Sequence, residues 1–108
     1  MQSTLTDFTA VPDGILDGWM YILPPDKFVV LMAIYRATFT KGFAKSGDIE
    51  KATKISRRTS KWAIQKLLKY KLIVQLEIDE PDPECYVKLY KINPKMDLNP
   101  DILKYRNL

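Results

Sequence analysis

Between Lys51 and Lys71 the chain carries eight cations, at Lys51, Lys54, Arg57, Arg58, Lys61, Lys66, Lys69 and Lys71, and no carboxylate. Ammonium and guanidinium groups in such density are suited to neutralising phosphate. Two residue types in the run can also read bases: arginine forks onto the O6 and N7 of guanine, and glutamine, here Gln65, pairs with the N6 and N7 of adenine. The flanks are mildly acidic. Met1 to Glu50 holds 4 basic and 6 acidic side chains, and Leu72 to Leu108 holds 5 and 7, so the three segments carry −2, +8 and −2. A formal charge of +4 over 108 residues therefore conceals one concentrated footprint for a polyanion. The plain alternative is a solvated lysine-rich helix.

Other chemistry is scarce. The chain has no histidine and one cysteine, Cys85, which removes imidazole-dependent triads, most metal sites and an intrachain disulfide. Asp13 and Asp17 stand one helical turn apart and read as capping or surface residues, and no glycine-rich phosphate loop is present. The expectation is a protein that is not an enzyme, with no catalytic residues, no cofactor and no metal.

The length suits one domain. Residues 1–25, punctuated by Pro12, Gly14, Gly18, Pro24 and Pro25, read as an N-terminal arm with room for a short helix. Residues 26–92 read as the folded unit and residues 93–108 as a C-terminal tail, with a further short helix expected from Asp101. Within the unit, Phe28, Leu31, Met32, Tyr35 and Phe39 recur at helical spacing and predict a core helix closed by Gly42. Ser46 is placed to cap a short helix, Gly47 to Lys54, whose apolar side is Ile49, Ala52 and Thr53. Ser56 is placed to cap a third helix running to about Tyr70. On a wheel, Ser60, Ala63, Ile64, Leu67 and Leu68 fall on one side of it and Arg58, Lys61, Trp62, Gln65 and Lys69 on the other. Alternating patterns at 73–79 and 86–92 predict two strands joined by an exposed tip with two prolines and several acids.

Core helix, short helix, tight turn, basic helix and hairpin, in that order, spell a mostly α fold with a small β hairpin. It is a winged helix-turn-helix of three core helices plus a two-stranded wing. The third helix would enter the major groove with its N-terminal half at the bases. The wing argues differently, because Glu77, Asp79, Glu80, Asp82 and Glu84 would be repelled by phosphate; they either turn away from a duplex, face a basic partner, or keep the hairpin soluble. Trp62 has three readings: contact with DNA, a protein interface, or packing against the wing.

The stretch Phe8 to Val74 contains FTAVPDGILDG, then PPDKFVVLMAIYRATFTKG with Arg36, Thr38 and Gly42 as an R-x-T…G pattern, then SGDIEKATKISRRTSKWAIQKLLKYKLI. Over these residues, about two thirds of the chain, it resembles the N-terminal winged-helix domain of phage replication protein O and related replisome organisers and initiators. The resemblance implies that Arg57, Arg58, Thr59, Lys61, Trp62 and Gln65 occupy an origin-reading helix. Two positions depart from the pattern. Lys71 stands where such helices end in glycine, so a lysine must accept a strained or altered exit, and Ser60 replaces a branched apolar residue.

The residues expected at DNA are Lys45, Ser46, Lys51, Lys54, Ser56, Arg57, Arg58, Thr59, Lys61, Trp62, Gln65, Lys69 and Lys88. Arg58, Trp62 and Gln65 are assigned to base recognition, and Lys45, Lys51, Lys54 and Lys69 to phosphate anchoring. Double-stranded DNA is the expected partner, in replication initiation at the origin of a phage or other mobile element. One alternative is a winged-helix transcriptional regulator of a mobile element. The other is a replisome interaction module that uses Trp62 and the acidic wing. A homodimer suits a small domain that gains limited affinity from one half-site. The longest apolar run, Phe28 to Tyr35, is well short of the ~20 residues of a membrane span, so no membrane partner is expected. With an unpaired cysteine and no signal-like start, a cytoplasmic location is expected.

Overall fold

Ile15–Trp19 forms a π-helical turn that runs into a short helix, α1 (Met20–Ile22), and buries Ile15 and Trp19. The computed structural model describes residues 11–76, 88–98 and 100. Pro24 and Pro25 separate α1 from the long helix α2 (Pro25–Lys41), and the fixed φ of a proline suits that first helical position. At its far end Gly42 takes the left-handed conformation, φ 87°, and donates its amide to the Thr38 carbonyl at 2.9 Å. That turn throws the chain back as a two-residue strand, β1 (Ala44–Lys45), followed by α3 (Ser46–Thr53), α4 (Arg57–Lys69), β2 (Ile73–Leu76) and β3 (Leu89–Ile92).

The expected two-stranded wing is the larger part of a three-stranded antiparallel sheet in the order β1-β3-β2. Ala44 pairs with Tyr90, and Ile73 to Leu76 pair with Ile92 to Leu89. Two residues are too few to show an alternating pattern, so β1 carries no sequence signal. The remaining tip of the expected hairpin, residues 77–87 with the acidic cluster and Cys85, lies outside the described residues, as does the helix expected from Asp101.

The core lies between α2, α3, α4 and the sheet, and its largest closed side chains include Trp19, Ile15, Leu31, Ile34, Ile49, Leu67 and Leu72. α2 is rotated from its expected facing. Val30, Leu31, Ile34 and Tyr35 are buried, while Phe39, expected inside, is 65% exposed and lies over Tyr35 with ring centroids 4.9 Å apart. Phe28 and Met32 are half-buried. A helix apolar on nearly every side from Phe28 to Tyr35 leaves its facing to be decided by neighbours rather than by pattern. Ala52, expected to lean on a neighbour, is exposed on α3, where Ile49 is the buried contact.

Residues 15–23 pack into this same core. Trp19 is fully buried, its indole Nε1 donates to the Asp97 carbonyl at 2.6 Å, and its ring lies 5.9 Å from that of Tyr70. Gly14 and Gly18 allow the segment after β3 to cross closely. A Cβ on Gly14 would fall on the Leu98 carbonyl, and one on Gly18 would stand 2.5 Å from Pro100 Cγ.

Candidate nucleic-acid interface

Three local devices fix the turn between α3 and α4. Thr53 returns its hydroxyl to the Ile49 carbonyl at 2.8 Å, and Lys54 adopts φ 57°, donating its amide to the Glu50 carbonyl at 2.9 Å, which ends α3. Ser56 then accepts the Thr59 amide at 3.3 Å and donates to the Thr59 hydroxyl at 3.0 Å, the N-cap that starts α4. Ser46, by contrast, caps nothing. It is the first residue of α3, behind Lys45, because Lys45 is held extended in β1 and the Ser46 amide donates to the Lys88 carbonyl at 3.1 Å.

α4 separates its chemistry by face as the wheel predicts. Ser60, Ala63, Ile64 and Leu67 are buried, Leu68 is half-buried, and Arg58, Lys61, Trp62, Gln65 and Lys69 are exposed. Trp62 is 55% exposed, and the Arg58 guanidinium lies over its ring, 4.8 Å from the centroid. One helical turn apart, the two form a cation–π pair that holds the arginine at the surface of the helix. Lys66 makes the same kind of contact with Tyr70 at 4.9 Å.

The helix exit carries the altered geometry expected of a lysine in glycine's place. Lys71 adopts φ 60°, the Lys71 amide donates to Leu68 and the Leu72 amide to Leu67, each at 3.0 Å, and Leu67 and Leu72 are both closed to solvent. This is a Schellman ending with its apolar contact. The Asn93 side-chain amide donates to the Lys71 carbonyl at 2.9 Å, tying the exit to the end of β3.

Of the residues expected at DNA, Arg57, Lys61 and Gln65 of α4, Ser46 of α3 and Lys88 beside β3 line one groove of about 640 Å³. Its floor includes Ile64 and Tyr90, both nearly closed to solvent, and burial raises the Tyr90 phenol above its ordinary range. Arg58 and Trp62 stand on the exposed side of the same helix, and Ser56 and Thr59 are occupied with each other at its start. Lys45 and Lys54 are exposed at the ends of α3. Lys69 is exposed twelve residues beyond Arg57, about 18 Å along the helix. Lys51 departs from the group, lining a second groove with Arg36 and Lys41 between α2 and α3. Sequence reasoning missed Gly47, Glu50 and Gln75, which also line the first groove, and the buried hydroxyl of Ser60, which has no hydrogen-bond partner among the described residues. The signal for Ser60 was its place on the apolar side of the wheel. No helix among the described residues is long and apolar enough to cross a membrane.

No protein-family model and no curated protein matches the chain. Among solved structures, one of BpsR from Bordetella bronchiseptica, described for the mechanism by which 6-hydroxynicotinic acid regulates its DNA binding, is similar over 79% of this chain with 25% identity and a TM-score of 0.52. The fold is a winged helix-turn-helix. The chain spans 60% of the length of the BpsR chain. The likeness lends no support to the replication part of the sequence resemblance. Within the winged helix α4 packs across α2 with its charged face outward.

Proposed function

We propose that the chain is a sequence-specific, double-stranded DNA-binding regulator that inserts the exposed face of α4 into the major groove. The observation that carries this is the sorting of one capped basic helix into a buried apolar face and an outer face of Arg58, Lys61, Trp62, Gln65 and Lys69. Arg58 is assigned to a base edge, braced by Trp62, and Gln65 to a second. Lys45, Lys54, Lys69 and Lys88 anchor phosphates around them, with Arg57 and Lys61 between the two roles. The BpsR likeness supports a regulator, since that protein's DNA binding is itself regulated. The site performs recognition without catalysis.

A salt titration on a mixed-sequence duplex tests the docking, because the logarithmic slope falls by about 0.9 for each phosphate that is no longer neutralised. The chain is expected to bind with a steep slope, and the Arg57→Ala, Arg58→Ala double variant with a slope shallower by the equivalent of one to two phosphates. A shallow slope that the double variant leaves unchanged would mean that α4 presents only a solvated face. Replication initiation would use the same docking with a different arrangement of sites, and footprinting separates the two. A regulator dimer protects one short palindrome and an initiator protects an array of repeats.

A further inference from the structure

Trp62 is not used by the core, and bracing an arginine occupies only part of its ring. Among the exposed residues of α4, namely Arg57, Arg58, Lys61, Trp62, Gln65 and Lys69, it alone is apolar, and it is 55% exposed. Arg58, Trp62, Gln65 and Lys69 recur at helical spacing and so form one stripe along the outer face. The Arg58 guanidinium lies over the indole, 4.8 Å from the ring centroid. No hydrogen bond or ion pair holds the Arg58 side chain among the described residues, and no carboxylate stands between Lys51 and Lys71 to take one. A planar cation is thus set against an aromatic ring with its forked N–H donors still available. The major groove offers an indole few partners. Of the groups that base pairs present there, the 5-methyl of thymine is the apolar one, and the rest are hydrogen-bond donors and acceptors. 5-Methylcytosine carries the same methyl at the same place. Guanine O6 and N7 are the partners of a guanidinium fork. Right-handed stacking sets the methyl of a pyrimidine beside the O6–N7 edge of the guanine that follows it on the strand. One such step therefore presents an apolar group next to two acceptors, matching the apolar ring and planar donor that α4 holds together.

We infer that the Arg58–Trp62 pair reads a 5-methylpyrimidine–guanine step, thymine–guanine or 5-methylcytosine–guanine, and discriminates against unmethylated cytosine–guanine. Arg58 forks onto O6 and N7 of the guanine, and the methyl packs into the angle between guanidinium and indole. Trp62 then contacts the base as well as bracing the arginine. Adding one methyl group to a cytosine–guanine step converts it from a poor site into a good one. The inference rests on the docking of α4 proposed above and names the step which that docking recognises.

The full chain is first used to select duplexes from a library with a randomised centre, and the selected sequences are expected to share a thymine–guanine step. Versions of one selected duplex are then compared that differ in the base before the guanine: thymine, uracil, cytosine or 5-methylcytosine. Uracil keeps the pairing edge of thymine and lacks only the methyl. The uracil duplex is expected to bind about fourfold more weakly than the thymine duplex, the scale of one buried methyl group, and the 5-methylcytosine duplex about fourfold more tightly than the cytosine duplex. Trp62→Ala, at an exposed position, is expected to bring both ratios to about one. Lys69→Ala should weaken every duplex alike and leave both ratios near fourfold, about the value for the unaltered chain. A selected site without the step, or equal binding of the thymine and uracil duplexes by a chain that still selects a site, would overturn the methyl reading and leave the docking intact. Ratios that survive in Trp62→Ala would also overturn it, because the methyl would then be read by another residue. A chain that binds no duplex would overturn the docking and the methyl reading together.

Discussion

Lys71 holds a left-handed conformation, φ 60°, that costs an L-residue about 1–2 kcal/mol and glycine nothing. Its geometry is held by the Leu67–Leu72 closure and by Asn93, so the penalty is borne by the native state. Lys71→Gly is expected to raise stability by roughly 0.5–1 kcal/mol, the relief of strain less the freedom glycine gains when unfolded. Urea denaturation measures it, and an unchanged or lower midpoint would show that the lysine is not strained. Trp62 poses the opposite case, a large side chain that the fold barely uses. Because it is 55% exposed and stacked on Arg58, Trp62→Ala is expected to cost under about 1 kcal/mol of stability, yet to weaken specific DNA binding about as much as Arg58→Ala. A double-mutant cycle on DNA affinity should return a coupling near 1 kcal/mol. A coupling of zero would mean that the ring does not brace the arginine.

At the scale of elements, what could be read in the sequence depended on how strongly one face differed from the other. α4 was legible because charge and apolar residues alternate with the helical period and Ser56 stands one residue before it. α2 was legible as a helix but not in its facing, since an apolar run has no preferred side. β1 was illegible, and with it went the cap at Ser46: the strand holds Lys45 extended and supplies an acceptor for the Ser46 amide from Lys88, a residue more than forty positions away. The groove was half legible. Arg57, Lys61, Gln65 and Lys88 were named for their charge or polarity, while Gly47, Glu50 and Gln75 enter it only through the fold. The stretch around Trp19 looked like an arm because prolines and glycines surround it, but Gly14 and Gly18 serve close approach. Gly18→Ala should accordingly destabilise the chain by about 1–3 kcal/mol, although alanine favours helix by about 1 kcal/mol at an exposed interior site. A stabilised variant in thermal unfolding would show that Pro100 yields without cost.

For the whole molecule, the hydrogen bond between Trp19 and Asp97 joins positions 78 residues apart, while the turn between α3 and α4 closes within a few. Bringing distant segments together carries a chain-entropy cost that local pairings avoid. The helix-turn-helix and its pairing with α2 are therefore expected to form before the two ends of the described chain meet. In kinetics, Trp19→Leu should speed unfolding far more than it slows folding, with a φ-value below about 0.3. Stopped-flow chevrons of the variant measure this, and a φ-value near one would place the indole in the folding nucleus instead. On that expectation the buried indole that closes the core acts as a latch set after the helix-turn-helix has formed. How long the assembled domain survives is governed by a residue that takes no part in lining the groove, and lifetime and recognition can change independently.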